Sequence, residues 1–287
     1  SGNEIQNLED RLELALRHLS RGELPQAEVI YTEILGKKPD QPTALHLQGV
    51  IAHQTKDSLT AEKLIKKSLL INPNNAEAHN NLSVVLKDQK KFDEALSSNK
   101  KAVQIRPDYA EGHYNLGVLL KVLGRLNEAV ASYREAVNHN PDYADAYYNM
   151  GNTLNELGKT HEAIASFGKT IEIRPNHRQA HSNLGNLLKL IGKPNDAVSC
   201  YLKALAINPD FAEAHNNLGN VYKDLGQQND AVTQFREAIV YNPDFALAHS
   251  NLGVVLQELG QFDDAITSIQ KALSLNPEYA EALNNLG

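Results

Sequence analysis

The sequence predicts an all-α solenoid of eight helix-turn-helix repeats followed by a truncated ninth, and three observations predict it. Prolines recur at Pro39, Pro73, Pro107, Pro141, Pro175, Pro209, Pro243 and Pro277, always 34 residues apart. An alanine stands twelve residues before each of them, and a small residue twelve before that alanine. Strict self-similarity at this length marks a stack of units, each burying its apolar face only against its neighbours.

With proline at position 32, the units run 8–41, 42–75, 76–109, 110–143, 144–177, 178–211, 212–245 and 246–279. A leader covers 1–7, where Ser1-Gly2 without methionine suggests a tag remnant on an excised fragment, and a partial unit covers 280–287. Position 8, in the first helix, is always small: Ala15, Gly49, Ser83, Gly117, Gly151, Gly185, Gly219, Gly253 and Gly287. A helical glycine costs about 1 kcal/mol, so its recurrence predicts close approach of the second helix. Position 15 carries the turn glycine in six units, from Gly22 to Gly260. In the second helix, Ala27, Ala61, Ala95, Ala129, Ala163, Ala197, Ala231 and Ala265 hold position 20, and Tyr31, Tyr133, Phe167, Tyr201 and Phe235 fill a large slot at position 24. After the proline, Asp108, Asp142 and Asp210, each followed three residues on by an acid, predict capping boxes opening the next helix.

Composition narrows the function. The 28 basic residues against 35 acidic ones leave a net charge of −7, which argues against nucleic acid as partner. No apolar run is long enough to span a membrane, and a cytoplasmic setting is expected. Cys200 is the only cysteine, so neither a disulfide framework nor a cysteine-based zinc site is expected. His79, His113, His181, His215 and His249 recur one per repeat, about 10 Å apart, too far for a shared metal. No cofactor, metal or catalytic group is expected, so this stretch does not read as an enzyme.

These columns resemble the tetratricopeptide repeat family: small at 8, alanine at 20, aromatic at 24, proline at 32. The departure is position 4, where a tryptophan is usual and histidine or Tyr147 stands here. The resemblance implies a right-handed superhelix with first helices inside and second helices outside. Inner positions not needed for packing are then the binding candidates.

Position 6 stands out, with Asn81, Asn115, Asn149, Asn183, Asn217, Asn251 and Asn285. Asparagine is a mediocre helix former, so propensity does not explain it. Its amide complements a peptide unit, and one amide per repeat meets an extended chain about every third residue. The alternative is that each asparagine bonds only within or between first helices and orders the stack. Asn152, Asn186 and Asn220 add a second column at position 9, and Lys121, Lys189 and Lys223 stand at position 12. Tyr114 and Tyr148, at position 5, are candidate apolar anchors. Units reading His-Asn-Asn-Leu-Gly (215–219) or His-Ser-Asn-Leu-Gly (181–185, 249–253) resemble the repeats of O-linked N-acetylglucosamine transferases and bacterial relatives. That resemblance implies contacts from the asparagine column to substrate backbone, with a glycosyltransferase domain beyond the repeats. The expected partner is a protein or extended peptide; a substrate-feeding arm of such an enzyme and an architectural stack associating end to end are the alternatives.

Overall fold

The structure is a computed structural model that describes residues 2–277, with side chains from Asn7 onward. Among these residues there are sixteen helices and no strand. They are α1 (Gly2–Ser20), α2 (Leu24–Lys37), α3 (Pro42–Gln54), α4 (Ser58–Ile71), α5 (Ala76–Asp88), α6 (Phe92–Ile105), α7 (Ala110–Val122) and α8 (Leu126–His139). They continue with α9 (Ala144–Glu156), α10 (Thr160–Ile173), α11 (Arg178–Leu190), α12 (Pro194–Ile207), α13 (Ala212–Asp224), α14 (Gln228–Tyr241), α15 (Ala246–Glu258) and α16 (Phe262–Leu275). The chain divides into two compact units, Ser1–Thr153 and Leu154–Gly287, with the division inside α9. The architecture is an all-α solenoid of helical hairpins.

In both units the hairpins close over the same side chains. Every position-20 alanine is buried, seven of them at 0 % exposure. In the first unit, Gly117 of α7 faces the ring of Tyr133 on α8; in the second, Gly185 faces Tyr201 and Gly219 faces Phe235. A side chain at these glycines would enter the ring, so the small and large columns are one packing device. The third hairpin departs from it. Ser83 replaces the glycine, and the fully buried Asn99 replaces the aromatic, donating to Ser83 Oγ at 3.2 Å and to Asn80 Oδ1 at 3.3 Å.

The turn between paired helices needs one left-handed residue. Six glycines adopt it, and where glycine is missing Lys56 (φ 70°) and Lys90 (φ 61°) take the same conformation. A Cβ there costs about 1–2 kcal/mol, so these two turns are strained relative to the others.

The capping boxes are not formed at α7 and α13. Their N-caps are Tyr109 and Phe211, without a side-chain cap bond, because the helices start one residue too late for Asp108 and Asp210 to reach. Among the first helices, side-chain caps form where a polar residue occupies the N-cap itself: Gln41, Asn75 and His177 accept from Ala44, Ala78 and Ala180 backbone N–H. The position-4 histidines also have a role that spacing did not suggest. The Nε2–H of His79, His113, His181, His215 and His249 donates to the carbonyl of the proline six residues earlier, at 2.8–3.0 Å. Each ring thereby ties its helix to the preceding turn.

Candidate functional site

The position-6 asparagines lie on the first helices, and all of Asn81, Asn115, Asn149, Asn183, Asn217 and Asn251 are half-buried. Asn285 lies outside the described residues. In the first unit, the Asn81 amide donates to His46 Nε2 at 2.8 Å, Asn115 to Asn80 Oδ1 at 3.0 Å, and Asn149 to the Tyr114 hydroxyl at 2.9 Å. In the second unit, Asn251 donates to Asn216 Oδ1 at 2.9 Å. The acceptor in all four cases is position 5 of the preceding repeat. Each bond nets about 0.5–1.5 kcal/mol and pins one first helix to the next.

Asn217 is the exception that follows from chemistry. Position 5 of the preceding repeat is Ser182, buried and short, so Asn217 donates instead to Asn186 Oδ1 at 3.1 Å. That oxygen also accepts from the Tyr201 hydroxyl at 2.5 Å, which places Asn186 of the second column in the same network. Asn152 and Asn220 are half-buried on α9 and α13.

In these four amides one of the two Nδ2–H donors is therefore committed between repeats. The acceptor half is not: among the described residues, no donor reaches Oδ1 of Asn81, Asn115, Asn149 or Asn251. Asparagine reads as one acceptor and two donors in isolation; in place, these four offer a row of carbonyl oxygens. The position-5 partners His46, Asn80, Tyr114 and Asn216 were not recognised as the other half of the column. The signal was available, since that position is polar in every unit from the second to the eighth.

His46 shows how firmly the column is built in. It is 2 % exposed, and burial, opposed by Glu77, lowers its pKa to about 4. As the Asn81 amide donates, His46 Nε2 must be a bare acceptor, consistent with a neutral ring.

The remaining candidates are partly engaged in holding the repeats. Tyr114 is half-buried, its ring 4.9 Å from that of Tyr143 and 6.1 Å from that of Tyr133, and burial raises its pKa. Tyr148 is half-buried on α9. Lys189 pairs with Asp224 of the next first helix at 2.9 Å, as His53 pairs with Asp88. Such exposed pairs contribute about 0–1 kcal/mol. Lys121 and Lys223 are half-buried at the same position on α7 and α13. Among the position-2 acids, Glu77 holds Arg106 at 2.9 Å and Glu111 accepts from the Tyr109 hydroxyl at 3.4 Å. Burial raises the pKa of the half-buried Cys200 thiol, which disfavours the nucleophilic thiolate. Among the described residues, no group of three or more histidine, cysteine or acidic residues is placed to hold a metal, and no helix is long and apolar enough to cross a membrane.

Comparison with known proteins agrees with this fold. Solved structures with the same fold include YrrB, described as a TPR protein with an unusual peptide-binding site. The match is 25 % identical with TM-score 0.58, covering 66 % of this chain and 97 % of that one. PilF of Pseudomonas aeruginosa matches at 18 % identity and TM-score 0.62, covering 73 % and 95 %. A chain of the APC/C hetero-tetramer Cut9–Hcn1 matches at 17 % identity and TM-score 0.60, covering 92 % of this chain and 52 % of that one. Among curated proteins, none matches significantly. One family model, described as TPR repeat, matches residues 84–122, 119–158, 190–226 and 219–260. Two more, both described as Tetratricopeptide repeat, match 144–177 and 246–279, and 64–97. These models recognise the repeat as a class, and the likeness to the transferase repeats rests on the asparagine-bearing motifs alone. Together, half of the chain or more is matched by the first model, and the chain belongs to the tetratricopeptide repeat family.

Proposed function

We propose that this tetratricopeptide repeat scaffold binds extended polypeptide segments along its first helices, with the position-6 asparagines gripping ligand backbone. The observation that carries the proposal is the division of labour within Asn81, Asn115, Asn149 and Asn251: Nδ2 donates to the previous repeat, and Oδ1 is left open. A pinned amide has already lost its rotamer freedom, so ligand binding does not have to order it. The open oxygens accept from backbone N–H, which every residue but proline carries. Repeats about 10 Å apart meet an extended chain about every third residue. This grip tolerates varied side chains and excludes proline only at the contacted positions. The peptide-binding site described for YrrB, on the same fold, supports the reading.

The test replaces Asn81, Asn115 and Asn149 with alanine and titrates a panel of unstructured peptides calorimetrically. Affinity for the peptides that bind the parent chain is expected to fall at least tenfold while helicity by circular dichroism is kept. Unchanged affinity would refute the backbone grip.

A further inference from the structure

Position 24 is an amide in the third hairpin alone; the other seven carry an aromatic ring or isoleucine there. Asn99, on α6, is fully buried, and its Oδ1 has no hydrogen-bond partner. An apolar side chain in the slot would leave no such unmet acceptor. What the amide supplies in its place is a pair of donors, and both are used.

Asn99 Nδ2 donates to Ser83 Oγ at 3.2 Å and to Asn80 Oδ1 at 3.3 Å, both on α5. The Ser83 hydroxyl gives its own proton to the Asn80 backbone carbonyl at 2.8 Å, so Oγ meets Asn99 as an acceptor. Asn80 Oδ1 takes a second bond from Asn115 Nδ2 on α7, at 3.0 Å. The other half of the Asn80 amide donates to the Tyr109 hydroxyl, and that hydroxyl to Glu111 Oε2, two longer contacts of 3.4 Å. The series ends on a backbone carbonyl at one side and a carboxylate at the other, groups that only accept.

Reversing the series is disfavoured for a definite reason. If Asn115 turned its oxygen to Asn80, the Asn80 and Asn99 amides would have to turn over with it. The dry side of Asn99 would then hold two N–H groups without partners in place of one unmet oxygen. The Tyr109 hydroxyl would have to leave Glu111 and donate to Asn80.

We propose that Asn99 is a positioning residue for the asparagine column. Acting through Asn80, it fixes the polarity of the Asn115 amide, with Nδ2 toward the preceding repeat and Oδ1 left open. The consequence for binding rests on the backbone grip proposed above: the open oxygen meets a ligand N–H, whereas a reversed amide would meet a ligand carbonyl. Without Asn99, both orientations keep one Asn80–Asn115 bond and become about equally populated.

Two variants remove the relay. One is Asn99→Leu; the other pairs Ser83→Gly with Asn99→Phe and installs the glycine–ring packing of the seventh hairpin. The first readout needs no ligand: hydrogen exchange of the Asn115 side-chain amide by NMR in the full chain, its signal assigned by its loss in Asn115→Asp. In the parent chain the bonded proton should exchange about fivefold more slowly than that of an unbonded asparagine. In either variant this protection should fall below about twofold, while Asn81 and Asn149 keep theirs. The second readout is N-methylation of the tightest-binding peptide of the unstructured panel. Its penalty at the residue meeting Asn115 should shrink from about fivefold to about threefold or less, with the penalties at Asn81 and Asn149 unchanged. Undiminished protection of Asn115 in both variants, or equal loosening of all three amides, would overturn the relay. A methylation scan that is flat on the parent chain refutes the backbone grip, and the relay is then decided by amide exchange.

Discussion

Gly117 and Gly168 are both helical glycines, and replacing each with alanine should move stability in opposite directions. At Gly117 an added Cβ would lie 2.6 Å from Cε1 and 2.7 Å from Cδ1 of Tyr133. The ring is fully buried, with Tyr114 tilted against it at 6.1 Å, so it has little room to withdraw. Overpacking of this kind costs about 1–3 kcal/mol, partly offset by the helix propensity gained on leaving glycine, about 1 kcal/mol. Gly117→Ala should therefore destabilise by about 1 kcal/mol. At Gly168, in α10, nothing lies within 4 Å of the added carbon, and the propensity gain of about 1 kcal/mol should appear as stabilisation. Because solenoids can open repeat by repeat, denaturant midpoints should be read together with amide exchange in α7–α8 and in α10. If Gly117→Ala proved as stabilising as Gly168→Ala, the glycine–aromatic device would not be what holds the hairpins together.

Lys90→Gly should stabilise the third hairpin by about 0.5–1 kcal/mol, since φ 61° is strained for lysine and free for glycine; a loss of stability on denaturant titration would contradict this. Stability should also depend on His46. Its folded pKa of about 4 lies below the usual 6.5, so between those values the unfolded chain binds a proton that the folded chain does not. The contribution is complete above about pH 6.5 and lost as pH falls toward 4, roughly 3 kcal/mol in all. His46→Gln should flatten that part of the stability profile, and an unchanged slope would assign it to other groups.

The 34-residue period made the helices legible because every unit repeats the same spacing of small, large and turn residues. First helices start at 42, 76, 110, 144, 178, 212 and 246, where the register places them. The details that were not legible depend on single-residue offsets or on partners a full repeat away. Asp108 looked like a cap, but the helix starts too late for it to serve as one. The asparagine column was visible, whereas its commitment to position 5 of the preceding repeat required knowing how consecutive first helices lie against each other. Asn99 breaks the aromatic slot for a local reason: Ser83 replaces the glycine that would make room for a ring, and serves as its hydrogen-bond acceptor.

The proposed grip requires that carbonyl oxygens of the asparagine column accept from ligand backbone. The most direct measurement is a backbone N-methylation scan of a bound peptide, which removes one N–H at a time and leaves the side chains in place. Affinity should drop about fivefold or more at roughly every third residue and change little between. A flat profile, or losses that follow side-chain identity instead of this spacing, would contradict it.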